Sequence, residues 1–599
     1  MNHDLPGRVF RHARELCKVH AFAILLALLV GAVYVGPDTY HAASPGYRGI
    51  VMADATDEDF YLSAINKSYE TPGLLGDPFQ YEYRDAKNPF QYFLIESTLG
   101  KVGAFLHMPI DVLDILSEFL FPALLTLLLY AFALYLSGSR LTAFFTGAAM
   151  LLGNEIIHPN GILNALNTFA FRGSFHEFLT YSRPVNPQVS ALFFFAVLFF
   201  LYALMRTPSS KKAVILSGIG MGLLLYIYPY YWAFAAALIG IMFLYALVTR
   251  NQELIWAAGS AGALSIVVIV PFLVGNLSIF MHGGGGLAQA IPTRRIIIEK
   301  MILLPLILYA GIYLWAWWIR GVGKAGAWAT AFSRKYVFVL LLLLTGVVVS
   351  NQQVLTGKMV FQQHFHFYTN IPVLLLAMSF LFMELAVLLP RSWRVASVGA
   401  IVVVLAWFII GVQVSSYKSN STKSAREQAL APLFAYLREY APAQSVIYTD
   451  PYLSTRLTIY TQDFSYSAGG YDVTFVGVPR ERIVHDYFAM LQLRGVTAKA
   501  VRSYVYQKDN RNEVGGAIYV GTYWRDLCGS YGCFPDSVLE DLIRQYQDFA
   551  SRPLLQNLKK YKIDYLLLDT ASDTGWRFKD VVSGPPLHES GDFKLYAIK

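Results

Sequence analysis

A dense group of carboxylates follows the first long apolar segment of the chain. Residues 54–61 read DATDEDFY, which places four acidic residues within six positions. Carboxylates at this density can bind a cation, act as a general base, or simply be solvated. Which of these applies depends on the side of a membrane that the stretch occupies, and therefore on the elements around it.

Other residues suited to catalysis or ligand binding lie in later polar stretches between apolar segments. They are Glu155, Arg172, Arg183, Arg294, Lys358 and His364. Carboxylates can take a proton from an acceptor, and cations can stabilise a phosphate. The histidines of these stretches, His158, His176, His364 and His366, lack the His-x-x-x-His helical spacing. Each alone is interpreted as a polar loop residue, although together they could bind a metal.

The composition is that of a polytopic membrane protein. The chain has 599 residues, of which 55% are hydrophobic and 15% are charged, and its mean hydropathy is +0.43. Apolar runs of about 20 residues recur from Ala21 to about Val414 and then stop. We therefore predict an α-helical transmembrane domain over 1–418, with extracytoplasmic loops 37–112 and 154–186, and a soluble α/β domain over 419–599.

The apolar runs predict about eleven transmembrane helices. The predicted spans are 20–36, 113–136, 139–157, 187–205, 212–229, 231–249, 255–280, 300–318, 336–350, 371–389 and 395–415. The first run follows several basic residues and is either a cleaved signal sequence or an uncleaved anchor. Its length favours the anchor. Both alternatives place residues 54–61 outside the cytoplasm.

The distribution of charge predicts the orientation of the chain. With the N-terminus inside, the inner loops and the N-terminal tail hold fifteen basic residues against the acids Asp4, Glu15 and Glu253. This is the pattern of the positive-inside rule, and it places the C-terminal domain outside. The net charge of +8 is therefore attributed to membrane orientation, and we expect no nucleic-acid partner.

Two of the three cysteines lie in the predicted outer domain. Cys528 and Cys533 are separated by four residues. In an oxidising compartment this spacing indicates a local disulfide. A metal site would need further Cys or His nearby, and the surrounding sequence has none.

The C-terminal part of the chain has the pattern of an α/β domain. Strand-like runs occur at 445–448, 565–569 and 593–598, and helical patterns occur at 425–440, 480–494 and 535–562. Residues 90–106 of the first outer loop predict an amphipathic helix at the membrane interface. Within the spans, Glu118 and Glu384 are the prominent charges. Because most polar residues lie in outer loops, we expect a site at the membrane surface and no path through the membrane.

The chain resembles the GT-C superfamily of polytopic glycosyltransferases, which take a sugar from a polyprenyl-phosphate carrier. The stretch Asp57-Glu58-x-x-Tyr61 is similar to the first-loop motif of lipid A aminoarabinose transferases. Glu155 opens the second outer loop, where the superfamily often has its second acidic motif. The resemblance implies an enzyme of the bacterial inner membrane with a cytoplasmic N-terminus and a periplasmic C-terminal domain. It does not identify a subfamily.

The implied reaction is inverting transfer of a sugar from a polyprenyl-phosphate donor to an envelope glycan, lipid or protein. Asp57 is the expected general base and Glu58 the second candidate, while Glu155 orients the acceptor or shares the base role. The donor phosphate is assigned to a set of cationic residues. These are Arg172, Arg183, Arg294, Lys358 and His364. Tyr61 is expected to stack on the sugar or line a prenyl groove. A monophosphate donor requires no metal, although a divalent metal is possible.

Other interpretations of the same residues remain open. Asp57 and Glu58 can be first-turn acids favoured by a helix dipole, and Asp54 and Asp59 are expected to be solvated or capping residues. Glu155 can equally be a helix-end residue, and Arg294 can contact lipid headgroups. Two other functions remain as alternatives. A transporter or flippase of lipid-linked substrates would use Glu118 or Glu384. A non-catalytic envelope scaffold would keep its function when the outer-loop carboxylates are neutralised, but not when the surface of the C-terminal domain is changed.

Overall fold

The computed structural model of the protein describes most of the chain. The described residues are 18–52, 58–73, 75–86, 93–157, 162–282, 291–321, 331–333, 335–360, 362–467, 478–519, 534–572 and 575–599. Asp54, Asp57, His158, Cys528 and Cys533 lie outside these ranges. The predicted base and the predicted disulfide are therefore predictions that the structure does not address.

Helices form the N-terminal two thirds of the chain. They are α1 (Ala21–Tyr34), α2 (Gly36–Ala42), α3 (Glu58–Ser68), α4 (Leu94–Phe105), α5 (Ile110–Ser137), α6 (Arg140–Leu152), α7 (Ile162–Phe169), α8 (Ser190–Arg206), α9 (Lys211–Ile227), α10 (Pro229–Val248), α11 (Gln252–His282), α12 (Lys300–Gly321), α13 (Val337–Ser350), α14 (Gln352–Thr356), α15 (Gln362–Phe365), α16 (Ile371–Ala386) and α17 (Arg391–Glu427). A two-stranded antiparallel sheet joins β1 (Ile291–Pro292) to β2 (Lys358–Met359).

A helix lies at each of the eleven predicted spans. By length and composition, six helices within the described residues can cross a membrane, or seven if the bent pair α1 and α2 is one span. Helices α6, α8 and α13 are apolar but shorter. Several apolar side chains on the outside of the bundle are exposed, among them Phe22 at 78%, Val248 at 84% and Trp256 at 75%. Such side chains are suited to contact with lipid. The structure thus shows a helical protein with several membrane-compatible helices, and the count of eleven crossings stays a prediction.

Glycines permit close contacts between helices at two places in the N-terminal part of the chain. A Cβ atom at Gly31 would lie 2.6 Å from the carbonyl oxygen of Phe119, so glycine permits the close crossing of α1 and α5. A Cβ atom at Gly100 would lie 2.4 Å from the carbonyl oxygen of Ile65, which explains the close approach of α3 and α4. Helix α4 is the helix predicted at 90–106. Its exposed face includes Phe105 at 82%.

A five-stranded mixed sheet organises the C-terminal part of the chain. Its strand order is β4-β3-β5-β7-β6, from β3 (Val446–Tyr448), β4 (Phe464–Ser465), β5 (Tyr565–Asp569), β6 (His588–Ser590) and β7 (Phe593–Ala597). Strand β3 is parallel to β4 and β5, whereas β7 is antiparallel to β5 and β6. We refer to residues 430–599 as the C-terminal α/β unit.

The helices of the C-terminal α/β unit lie around this sheet. They are α18 (Leu430–Tyr440), α19 (Pro451–Tyr460), α20 (Arg480–Leu493), α21 (Val501–Val505), α22 (Lys508–Ile518), α23 (Asp536–Ala550) and α24 (Leu554–Leu558). The three predicted strands are present as β3, β5 and β7, and the sequence patterns missed the short strands β4 and β6. Helix α17 runs without a break through the predicted domain boundary at 418, and the division into two domains stays a prediction.

Candidate active site

The first turn of α3 is buried, although it carries two acids. Glu58 is 4% exposed, Asp59 is 8% exposed and Tyr61 is 7% exposed. The expectation that Asp59 is solvated is therefore wrong. Its carboxylate forms an ion pair with Arg456, with 3.3 Å between Oδ1 and Nη1, and accepts a hydrogen bond of 2.6 Å from Thr455. A buried charge needs such a partner, and here the partner comes from α19.

Arg183 lies at the centre of a group of polar and aromatic side chains that also includes Tyr61, Asn186, Tyr228, His364 and Tyr368. We call this group the Arg183 cluster. The Nη2 atom of Arg183 donates a hydrogen bond of 2.5 Å to the hydroxyl of Tyr368. Its guanidinium carbon lies 5.2 Å from the ring centre of Tyr368 and 5.9 Å from that of Tyr61. A half-buried guanidinium between aromatic rings can bind a phosphate while its carbon atoms remain packed.

The backbone of residues 183–187 fixes the position of Arg183. Its Nε atom donates a hydrogen bond of 2.6 Å to the carbonyl oxygen of Asn186. Val185, between them, has a φ of 61°, an unfavourable conformation for a β-branched residue. The Asn186 side chain donates to the Tyr61 hydroxyl at 3.3 Å and accepts from Ser190 at 2.6 Å. The predicted second outer loop is thereby joined to α3 and to the start of α8.

His364 completes the Arg183 cluster on the side of α10. Its Nδ1 atom shares a hydrogen bond with the hydroxyl of Tyr228. Its ring stacks on Tyr230, with 4.4 Å between ring centres and an interplanar angle of 16°. The structure therefore brings together three predicted binding residues, Tyr61, Arg183 and His364, from separate parts of the chain. Their role in binding stays a prediction.

Three buried carboxyl groups come from α2 and α5. Asp38 is 4% exposed, Asp114 is 3% exposed and Glu118 is 2% exposed. Glu118 lies close to Asp38, to Asp114 and to Glu58 in the first turn of α3. Asp38 accepts a hydrogen bond of 3.2 Å from the backbone of Met52. We call Asp38, Asp114 and Glu118 the carboxyl cluster.

Glu155 lies in a short 3-10 helix and holds the second outer loop. Its Oε1 atom accepts hydrogen bonds from the backbone of Thr180 at 3.0 Å, from the Thr180 hydroxyl at 2.8 Å and from Asn154 at 3.2 Å. Thr180 is three residues before Arg183. The predicted roles of Glu155, orientation of the acceptor or a share in the base role, stay predictions.

The remaining predicted phosphate ligands lie elsewhere. Arg172 is exposed, and its backbone N–H donates to the carbonyl oxygen of Asn167. Arg294 and Lys358 are both exposed. Lys358 lies in β2 opposite Pro292, and Arg294, two residues after β1, donates a hydrogen bond of 2.6 Å to the carbonyl oxygen of Val354. None of the described contacts of these three side chains joins them to the Arg183 cluster.

A metal site needs several ligand side chains close together. Within the described residues, no group of three or more His, Cys, Asp or Glu side chains has an arrangement that could hold a metal ion. Asp54 and Asp57 lie outside those residues, so it stays a prediction that a divalent metal is possible but not required.

Sequence reasoning missed several members of the site. Glu118 was singled out as a charge within a span, but Asp114 was missed, although its spacing of four residues from Glu118 places both on one helix face. Asp38 and Asn186 had no such signal. Neither Tyr228 nor Tyr368 was singled out as a binding residue.

Comparisons with known proteins show similarity to solved structures and no match by sequence family. The chain matches no protein-family model and no curated protein. It is similar to the crystal structure of an oligosaccharyltransferase from Archaeoglobus fulgidus, determined with zinc and sulfate. The TM-score is 0.47 and the sequence identity is 12%, over 92% of this chain and 68% of the archaeal one. No residue role is transferred from it.

Proposed function

We propose that the protein is a membrane glycosyltransferase that moves a sugar from a polyprenyl-phosphate carrier to an acceptor on the outer side of a bacterial inner membrane. One observation carries the proposal. The first turn of α3 lies between the carboxyl cluster and the Arg183 cluster, with Glu58 close to the former and Tyr61 bonded into the latter. A base and a phosphate ligand are the two parts that such a transfer needs.

The Arg183 cluster supports the donor half of the proposal. When the bond between the sugar and the phosphate breaks, negative charge develops on the lipid phosphate. A guanidinium that is held by Tyr368 and Asn186 stabilises this charge with little reorganisation. The surrounding tyrosine rings offer flat apolar faces to a sugar or a prenyl chain. A monophosphate donor needs no metal for this step.

The acidic first turn of α3 supports the acceptor half. A general base must lie within hydrogen-bond reach of the acceptor hydroxyl. We assign this role to Asp57, with Glu58 as the second candidate. Direct attack by the hydroxyl on the face opposite the phosphate inverts the anomeric centre. Glu155 is assigned the orientation of the second outer loop, through Thr180. The acceptor class is an envelope glycan, lipid or protein.

The transporter alternative receives less support from the two prominent charges inside the spans. Glu118 lies beside Asp38, Asp114 and Glu58 near the outer end of α5 in the predicted orientation. Glu384 binds Lys335 and the Tyr336 hydroxyl, each at 2.6 Å, near the predicted inner end of α16. Glu384 is therefore compensated locally, and the two acids lie at opposite predicted ends of the bundle.

The test is sugar transfer by purified variants in nanodiscs, from a polyprenyl-phosphate sugar to an envelope glycan. Asp57→Asn and Glu58→Gln remove the candidate bases. Asp85→Asn is the matched control, because Asp85 lies in the same loop with a side chain that is 89% exposed. We expect Asp57→Asn to lower kcat by at least about 10²-fold and the control to retain wild-type transfer. Undiminished transfer by folded Asp57→Asn excludes Asp57 as the base, and absence of transfer by the wild type rejects the proposed function.

A further inference from the structure

Helix α3 has two faces with different partners. Asp59, Ser63 and Asn66 follow the i, i+4, i+7 spacing of one helix face, and all three bind α19 or the residue after it. Glu58 and Tyr61 lie on the opposite side, where their partners belong to the membrane helices and the second outer loop. The rotation of α3 about its own axis therefore determines which side chains face the candidate site.

Arg456 makes the strongest contact on the α19 face. Its side chain is fully buried, and its Nη2 atom lies 3.2 Å from Oε2 of Glu427 while Nη1 lies 3.3 Å from Asp59. The Tyr452 hydroxyl accepts hydrogen bonds of 3.0 and 2.9 Å from the same guanidinium and donates to Glu427. Burial opposes the charge, yet the two carboxylates raise the pKa of Arg456 well above its ordinary value. Arg456 therefore stays charged and joins α3, α17 and α19.

The position of Arg456 is itself well determined. Helix α19 begins after Asp450, whose carboxylate accepts hydrogen bonds from the backbone of Tyr452 at 2.9 Å and of Leu453 at 3.1 Å. Pro451 occupies the first helical position, where it has no N–H to leave unpaired. An aspartate cap followed by proline fixes where the helix starts. Arg456 then lies in its second turn, directed at Asp59.

We propose that Arg456 is a positioning residue for the candidate active site. Through Asp59 it fixes the rotation of α3, so that Glu58 and Tyr61 are presented to the carboxyl cluster and the Arg183 cluster. A turn of α3 by one residue, about 100°, would replace Glu58 by Asp59 at the carboxyl cluster. The C-terminal α/β unit is thus part of the structure that orients the site. The inference rests on the proposed function for its catalytic consequence only.

The test compares Arg456→Met and Arg456→Lys with Arg494→Met in the full-length protein in nanodiscs. Arg494 is the matched control, because it forms an ion pair of 2.9 Å with Glu513 in the same unit. The first readout is amide hydrogen exchange in the segments 58–68 and 536–550. We expect exchange in 58–68 to rise at least about tenfold in Arg456→Met, with less change in Arg456→Lys. In the two Arg456 variants, exchange in 536–550 should stay within about twofold of the wild type. In Arg494→Met, exchange in both segments should stay within the same range.

The second readout separates positioning from stability. Misorientation of the reacting groups lowers kcat, on the order of 10²-fold, while the Arg183 cluster keeps the KM for the donor within a few-fold of the wild type. Unchanged exchange in 58–68, or an equal rise in both segments, overturns the proposal. A loss confined to KM overturns it as well.

A second variant keeps the test decisive if Arg456→Met does not fold. Asp59→Asn removes the charge on α3 and leaves Arg456 paired with Glu427. A rise in amide hydrogen exchange in 58–68, without a rise in 536–550, then supports the proposal. Unchanged exchange in 58–68 overturns it. Hydrogen exchange requires no turnover. If the wild type transfers no sugar, the proposed function fails, while the exchange data still decide whether Arg456 holds α3.

Discussion

Arg456 lies 3.3 Å from Asp59, so an arginine of the C-terminal α/β unit neutralises an acid in the first turn of a helix from the first outer loop. Glu427, at the end of α17, lies 3.2 Å from the same guanidinium. One buried cation thus serves two buried carboxylates that come from two other helices. Removal of the cation leaves both carboxylates without their main countercharge.

Arg456→Met is expected to lower the free energy of unfolding by about 3–5 kcal/mol, because it leaves buried charges unpaired. The double variant Asp59→Asn/Arg456→Met should lose less than the sum of the two single variants, because the two residues are in contact. Arg494→Met should change stability by less than about 1 kcal/mol, since its ion pair is partly exposed. Denaturant unfolding in mixed micelles measures the wild type, the two single variants, the double variant and Arg494→Met. Strict additivity of Asp59 and Arg456 would contradict the assignment.

Substitutions at Arg183 should weaken donor binding. Lysine keeps the charge but loses the planar fork that bonds to Tyr368 and Asn186. We expect Arg183→Lys to raise the KM for the polyprenyl-phosphate sugar at least about tenfold, and Arg183→Gln to raise it further.

Arg172→Gln is the comparison for this prediction, because Arg172 is exposed and lies outside the Arg183 cluster. If Arg172→Gln raises the KM as much as Arg183→Gln does, the donor contacts both arginines and the Arg183 cluster alone is not its site. Equal KM values for Arg183→Lys and the wild type would remove Arg183 as a phosphate ligand.

Local sequence patterns were sufficient to locate most helices and three strands. Long runs of mostly apolar residues predict helices such as α5 and α16 almost by themselves, because a helix satisfies all the backbone hydrogen bonds of a segment in a membrane. A short apolar run likewise predicts β5, whose residues YLLLD are largely buried in the sheet. Strands β4 and β6 have only two and three residues, and their pairing with β3 and β7 depends on the fold of the whole unit.

The contacts of the candidate site were not predictable in the same way. Asp59 looked like a solvated acid because its partner, Arg456, is distant in the sequence and shares no local pattern with it. Arg183, Tyr61 and His364 were each singled out for their chemistry, yet nothing in the sequence indicated that Asn186 and Tyr368 would join them. Such pairs follow from the packing of distant elements.

The orientation of the chain can be tested with single cysteines in a background that lacks Cys17, Cys528 and Cys533. Ser209→Cys lies between α8 and α9, on the predicted inner side, and Glu439→Cys lies on the exposed face of α18. In intact spheroplasts, a membrane-impermeant maleimide should label only the cysteine at 439. Permeabilisation should expose both. Labelling at 209 in intact spheroplasts would contradict the predicted sidedness.

The predicted disulfide between Cys528 and Cys533 has a direct chemical test. Alkylation of the unfolded, unreduced protein should modify Cys17 alone, and prior reduction should make all three cysteines reactive. In Cys528→Ser, Cys533 should react without reduction. Two reactive C-terminal cysteines in the unreduced wild type would exclude the bond.

Lys67 should make the stability of the protein depend on alkaline pH. The side chain is 3% exposed, donates a hydrogen bond of 2.5 Å to the carbonyl oxygen of Asp463, and lies 4.1 Å above the ring of Phe464. Burial lowers the pKa of Lys67 from 10.5 to about 7, although the charge of Asp463 acts in the opposite direction.

Between pH 7 and pH 10.5 the unfolded chain therefore binds more protons at Lys67 than the folded protein does. The free energy of unfolding should rise with pH across this window, with a slope of at most about 1.4 kcal/mol per pH unit from this residue. Lys67→Met removes that contribution, so its curve should be flatter than that of the wild type. Lys101→Met, on the exposed face of α4, should keep the wild-type slope. Denaturant unfolding at pH 7, 8, 9 and 10 measures the difference, and parallel curves for Lys67→Met and the wild type would show that Lys67 keeps an ordinary pKa in the folded protein.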